Sequence, residues 1–246
     1  MIDKDWFVHS GEYKRKRKRL FLFPYAGGGA SVFRSWQSKF EDVELICAQY
    51  PGRENRMNEK PINDFEKLLT NIYQSILPLI SDGVPYYFFG HSLGTKIVYE
   101  LTLKLQKQNH QLPKGIIVSA GRAPCYKEKN PIYHLENAEF LQELGRFSGT
   151  PNEILSNIEV MELFIPMLKA DFQLDEKYIN TQIIPVEIPI LGLKGTKDKE
   201  VLTEEVYKWQ EYTTENFDCK TVEGGHMFVN TNYEQVINHI MEFMEK

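Results

Sequence analysis

Residues 86–108 read Tyr-Tyr-Phe-Phe-Gly-His-Ser-Leu-Gly-Thr-Lys-Ile-Val-Tyr-Glu-Leu-Thr-Leu-Lys-Leu-Gln-Lys-Gln. The four aromatics at 86–89 are a short, continuous apolar run, the pattern of a strand buried on both faces. From Lys96 onward apolar and polar residues recur at helical spacing. Between strand and helix stands Gly90-His91-Ser92-Leu93-Gly94, a G-x-S-x-G sequence. Such a turn forces its serine into a strained backbone, and glycines two residues to either side let strand and helix pack closely. The hydroxyl of Ser92 is then lifted above the carboxyl end of a sheet, at a helix N-terminus. This is the setting of a nucleophile.

Outward from this turn the same alternation repeats. Apolar runs at 20–23, 43–48, 116–119, 188–191 and 217–222 read as strands. Helical patterns lie near 31–40, 63–80, 93–108, 203–213 and 232–245. This βαβα rhythm predicts an α/β fold, a mostly parallel central sheet with helices on both faces. The rhythm breaks between about 125 and 182, where helical patterns near 137–147, 151–156 and 159–178 follow one another with no strand between. Inserted after the run at 116–119, they emerge on the rim that carries Ser92 and read as a helical lid. Phe140, Leu144, Phe164, Leu168 and Phe172 would cover a substrate there. With no repeat or linker, 1–246 reads as a single domain.

Composition sets outer bounds. The chain has 246 residues, 42% hydrophobic and 26% charged, and a net charge of −5. It is large enough for one well-buried core, and its charge argues against nucleic-acid binding. No apolar segment suggests a signal peptide or a membrane span, so a cytoplasmic protein is expected. The three cysteines, Cys47, Cys125 and Cys219, show neither C-x-x-C nor Cys/His clustering, so neither a disulfide framework nor a metal site is expected. One local anomaly is the basic run 14–19, Lys-Arg-Lys-Arg-Lys-Arg. It reads as a solvated leader, with contact to an acidic partner as the functional alternative.

A serine hydroxyl needs a base, usually histidine, and the imidazole needs a carboxylate to fix its tautomer. In α/β-hydrolases the chain order is serine, acid, histidine. Of six histidines, His226 and His239 follow the region of the acid. His226 sits in Glu223-Gly224-Gly225-His226-Met227-Phe228, directly after the last strand, whereas His239 falls inside a terminal helix. His91 adjoins the serine and reads as a buttress of the turn. The acid is expected after the penultimate strand, in Lys194-Gly195-Thr196-Lys197-Asp198-Lys199-Glu200. Asp198 is the first candidate and Glu200 the fallback; Asp175 and Glu176 in the lid are weaker rivals. Two backbone N–H groups must hold the oxyanion. Leu93, after the nucleophile, supplies one. Pro24-Tyr25-Ala26-Gly27-Gly28-Gly29-Ala30, after the first strand, supplies the other, assigned to Ala26.

Together, Phe23-Pro24-Tyr25-Ala26-Gly27-Gly28, Tyr50-Pro51-Gly52-Arg53-Glu54, Phe89-Gly90-His91-Ser92-Leu93-Gly94 and Gly224-Gly225-His226-Met227-Phe228 resemble the motifs of type II thioesterases. These are the stand-alone editing enzymes of nonribosomal peptide and polyketide synthetases in antibiotic biosynthesis. The resemblance runs from about residue 18 to the end. It implies an α/β-hydrolase fold, a triad of Ser92, Asp198 and His226, and an oxyanion hole of Leu93 and Ala26. The residue after the serine is often methionine in that family; here it is Leu93, which contributes through its backbone. The basic run departs from the family pattern. The implied activity is hydrolysis of acyl or aminoacyl thioesters on the phosphopantetheine arm of carrier domains, with no cofactor beyond that arm. The expected partners are acyl or peptidyl carrier domains and small acyl thioesters, met by a monomer, with no nucleic acid and no membrane. Arg53, Arg56 or the run 14–19 could steer an acidic carrier. Vertebrate medium-chain fatty acyl thioesterases carry the same motif set, so a medium-chain fatty acyl-carrier or CoA thioesterase is the alternative. A general serine esterase stands beside it, although Pro51-Gly52-Arg53-Glu54 is not a general hydrolase feature; a non-catalytic homologue would have lost the triad.

Overall fold

The computed structural model describes residues 6–10, 17–147 and 157–246. Its strands are β1 (Phe7–Ser10), β2 (Lys18–Phe23), β3 (Val43–Ala48), β4 (Tyr86–His91), β5 (Ile116–Ser119), β6 (Ile190–Gly195) and β7 (Phe217–Val222). They form a sheet of order β1-β3-β2-β4-β5-β6-β7. Every pairing is parallel except that of β1 with β3.

Residues alternate across the sheet with period two, and both faces are buried. Phe21, Phe23, Ile46, Tyr86, Phe88, Ile116 and Val118 point into one apolar cluster; Leu20, Leu22, Leu45, Tyr87, Phe89 and Ile117 point into another. This is why the central strands β2 to β5 read chiefly as apolar runs. Helices α1 (Phe65–Ile80) and α2 (Leu93–Lys107) cover the first face. A 3₁₀ segment (Ala30–Lys39) covers the second, together with the helix we label α7 (Tyr233–Glu245). Asp64 caps α1 by accepting the Lys67 N–H at 2.8 Å, satisfying one of the orphan donors of the first turn. No described helix is long and apolar enough to cross a membrane.

Between β5 and β6 lie α3 (Asn137–Leu144), a 3₁₀ turn (Gly145–Phe147) and α4 (Ile158–Lys177). The helical pattern near 151–156 lies outside the described residues. These helices have their own apolar cluster of Ile132, Phe140, Leu144, Met161, Ile165, Met167, Leu168 and Phe172. Phe164 is not part of it: the side chain turns outward and is 36% exposed. After β6 come α5 (Thr203–Tyr207) and a 3₁₀ segment (Lys208–Tyr212), and after β7 a short α6 (Phe228–Thr231).

Several elements differ from the sequence reading. β1 was not foreseen. The fifth run begins at Ile190 rather than 188, because Pro189 has no N–H for the ladder; its carbonyl instead accepts from the Ile116 N–H at 3.1 Å. That strand continues through Lys194, whose stem is buried while Nζ donates to the carbonyls of Gly195 and Val201. Only part of the basic run can be a solvated leader. Lys14, Arg15 and Lys16 lie outside the described residues and Arg17 is exposed, but Lys18 and Arg19 belong to β2. Lys18 Nζ donates to the Met244 carbonyl at 2.6 Å, and the Arg19 guanidinium forks onto Asp82 at 2.6 and 2.7 Å.

Candidate active site

β4 ends in His91 and α2 begins at Leu93, so Ser92 alone makes the turn, with φ 53° and ψ −116°. A non-glycine residue holds such a backbone only where its surroundings over-determine it. Here they do: Ser92 N–H donates to the Ser119 carbonyl at 2.8 Å, and the Ser92 carbonyl accepts from Thr95 N–H and Oγ1. Strand and helix meet backbone to backbone. A Cβ on Gly90 would lie 2.2 Å from the Gly94 carbonyl oxygen, and one on Gly94 would lie 2.2 Å from that of Phe23.

His226 stands in the loop after β7 and Asp198 in the loop after β6. Thr196 N–H bonds the Val222 carbonyl and Lys197 N–H the Gly224 carbonyl, so the two loops are tied together. Ser92 Oγ lies 3.1 Å from His226 Nε2, and His226 Nδ1 lies 3.1 Å from Asp198 Oδ2. A carboxylate can only accept, so Nδ1 carries the ring proton and Nε2 is left to accept from the hydroxyl. Asp198 Oδ1 accepts the N–H groups of Glu200 and Val201 at 2.9 and 3.3 Å. Burial alone would push the Asp198 carboxyl up; His226 and these two N–H groups outweigh it and hold the carboxyl below its ordinary value.

The side chains of the rival residues bond elsewhere, although Asp175 and Glu200 border the site. Glu200 turns its carboxylate to Arg146 at 3.5 Å and contributes only its N–H to Asp198. Glu176 accepts the N–H groups of Ile132 and Tyr133, and Asp175 pairs with Lys96. His239 lies in α7, 3.8 Å from Glu242. His91 is fully buried, bonding Ser119 Oγ at 2.9 Å and the His226 carbonyl at 3.0 Å. Burial, then the neighbouring His226, pushes its pKa down to about 3. It is therefore a neutral brace under the His226 loop.

The Leu93 N–H opens α2 and so has no intrahelical partner. In the loop after β2, Gly27 N–H is taken by Asp171 and Gly28 N–H by the Tyr25 carbonyl, whereas Ala26 N–H is engaged by no other group among the described residues. Ser92 opens onto an apolar cavity whose walls include Ala26, Leu144, Phe147, Leu168, Phe172 and Met227. On its other side lies a smaller charged recess with Lys96, Arg122, Glu128, Asp175 and Glu200. Phe147, which also sets its ring edge-on to His226, was not singled out in the sequence. Arg53 and Arg56 do not face a carrier from the rim: both are buried, Arg53 at 4% exposure, and both are engaged internally. Among the described residues no group of His, Cys, Asp and Glu is placed to hold a metal ion.

The arrangement joins a serine hydroxyl, an imidazole and a carboxylate in one hydrogen-bond chain beside an apolar cavity, the geometry that acyl transfer by a nucleophile and a base requires. Residues 18–244 match a family model described as a thioesterase domain. The chain is 34% identical over 244 residues to the gramicidin S biosynthesis protein GrsT of Aneurinibacillus migulanus, covering 98% of this chain and 93% of that protein. It is 30% identical over 252 residues to the thioesterase PikA5 of Streptomyces venezuelae, covering 99% and 89%. Among solved structures, YbtT, a type II thioesterase from the yersiniabactin NRPS/PKS pathway, matches with a TM-score of 0.88 at 26% identity, covering 96% of this chain and 97% of that one.

Proposed function

Since this chain belongs to the thioesterase domain family, we propose that it clears acyl and aminoacyl groups from the phosphopantetheine arms of carrier domains in nonribosomal peptide or polyketide synthesis. It is a thioester hydrolase of the serine type. The observation that carries the mechanism is the hydrogen-bond chain from Ser92 through His226 to Asp198 at the mouth of an apolar cavity. On this reading His226 Nε2 takes the Ser92 proton as Oγ attacks the thioester carbon. The carbonyl oxygen becomes an oxyanion held by the N–H groups of Leu93 and Ala26. The C–S bond then breaks, and the departing sulfur takes the proton from Nε2. Water attacks the acyl-serine, its proton passing to His226 and then to Oγ, and the free acid leaves. Asp198 stabilises the imidazolium that forms at each attack.

The reaction needs no cofactor beyond the arm that the substrate carries. The same proposal has the protein act as a cytoplasmic monomer of one domain, the helices at 125–182 serving as a lid that excludes water. The apolar walls favour a hydrocarbon acyl group, so medium-chain fatty acyl carriers are the second substrate class to assay. Ser92→Ala should fold like the parent and lose up to ~10⁶-fold in kcat, because no acyl-enzyme can form. Intact-mass detection of deacylated carrier measures this. Near-parental turnover by a folded Ser92→Ala protein would end the proposal.

A further inference from the structure

Three N–H groups in the loop after β2 and the start of the 3₁₀ segment that follows it are held by side chains. Gly27 N–H donates to Asp171 Oδ2 at 2.7 Å, Ala30 N–H to Gln49 Oε1 at 2.7 Å and Ser31 N–H to Glu54 Oε1 at 3.1 Å. Gln49 and Glu54 lie in the segment that follows β3, but Asp171 comes from α4. It is 1% exposed. Its two oxygens grip the Arg53 guanidinium, Nη1 at 2.5 Å and Nη2 at 2.8 Å. The same guanidinium donates to the carbonyls of Gly28 and Pro51, both at 3.1 Å. The loop also touches α4 directly. Gly27 has φ +83°, and a Cβ there would lie 2.6 Å from Leu168 Cδ2, one turn before Asp171.

A buried ion pair is seldom more stabilising than the apolar residues that could replace it. This one stands next to Ala26, whose N–H the reading above makes an oxyanion donor. We propose that Asp171, clamped by Arg53, is a positioning residue of the thioester hydrolysis: by holding the Gly27 N–H it fixes where the Ala26 N–H points. Oxyanion stabilisation then depends on α4 being seated. The same helix lines the acyl cavity through Leu168 and Phe172, so an acyl chain that packs against α4 completes the oxyanion hole that will act on it. An empty cavity lacks that contact. This inference rests on the assignment of Ala26 above.

The test compares wild type, Asp171→Asn and Arg53→Lys on one acyl-carrier thioester. It also uses two ligands: a trifluoromethyl ketone, whose adduct with Ser92 places an oxyanion in the hole, and the matching thioether, which lacks the carbonyl. Loss of a whole oxyanion donor costs about 10²–10³-fold in kcat, so misplacing one should cost about 10–100-fold with KM little changed. The ketone should weaken by the same factor as kcat/KM, and the thioether should not. Equal weakening of both ligands, or parental kcat in a folded variant, would overturn the inference. Arg53→Lys keeps the charge but loses the fork, so it is read in the same way if Asp171→Asn does not fold. In the wild type the ketone should slow hydrogen exchange at the Gly27 amide and along α4 together, and unchanged exchange there also counts against it. If the wild type fails to hydrolyse the thioester, the functional reading fails first; if it is active while the variants behave like it, only this inference does.

Discussion

Ser92 holds a positive φ because three neighbouring groups, the Ser119 carbonyl and the Thr95 N–H and hydroxyl, hold its backbone, and the cost is repaid in placement: its Oγ meets His226 without a side-chain search. The acid is less visible from geometry alone, since Glu200 lies two residues from Asp198 and also borders the site. The bonds separate them. Asp198 is the carboxylate on His226, and Glu200 points to Arg146. Asp198→Asn should therefore lower kcat severely, on the order of 10⁴-fold, because an amide can donate to Nδ1 and select the wrong tautomer. Glu200→Gln should change it less than about threefold, since its N–H remains. Steady-state kinetics on a carrier thioester distinguish the two, and the reverse order would move the acid to Glu200.

Helix α4 does more than roof the cavity. At its C-terminal end Glu176 reaches across to accept the N–H groups of Ile132 and Tyr133 at 2.8–2.9 Å. Burial pushes this carboxyl up to about 7, against the two N–H groups that favour its charged form; the nearby Asp175 and Glu128 add to the rise. The folded value thus lies above the unfolded one near 4.5. The stability linked to this group is fully present below that value and is lost as pH rises through about 7. Tm should fall between about pH 5 and 7.5, and Glu176→Gln, permanently neutral, should flatten the decline. A parental slope in the variant would assign the pH dependence to other groups. This contact could not be read from the sequence, nor could the Arg53–Asp171 pair, whose members are 118 positions apart. A charged residue defaults to the surface in a sequence reading, which is why Arg53 and Arg56 were expected at the rim. By contrast β2 to β5 were legible, because burial on both faces leaves an unbroken apolar signature, and so was Ser92, whose turn is written in five adjacent residues. β1 has only four residues, and its partner β3 lies some forty positions on; the only cue was the apolar Trp6-Phe7-Val8 within a charged leader. Phe164 was misplaced because α4 also carries apolar residues on its outer side, Val160 and Leu163 among them, which blurs the helical period.

On the scale of the whole molecule, the net charge of −5 opposes an acidic carrier, and Arg53 and Arg56, which would offset it locally from the rim, are buried. Lys18 and Arg19 are also committed to internal bonds. Preference for a carrier over the matching CoA thioester should then rest on short-range fit. The ratio of their kcat/KM values should change less than about threefold between roughly 50 and 500 mM salt, a range over which exposed charges become strongly screened. A steep fall would instead assign the preference to long-range attraction, with Lys14, Arg15 and Lys16 the first residues to substitute. The order of the chain has a consequence of its own. β1 to β5, with Ser92 among them, are complete by Ser119, whereas Asp198 and His226 follow β6 and β7, beyond the helices inserted after β5. A domain folds as a unit. A prematurely ended chain that stops within the insertion carries Ser92 without Asp198 or His226, and so has no means of activating it. Intermediates on a nearby synthetase are therefore exposed to hydrolysis only by molecules whose translation has passed residue 226.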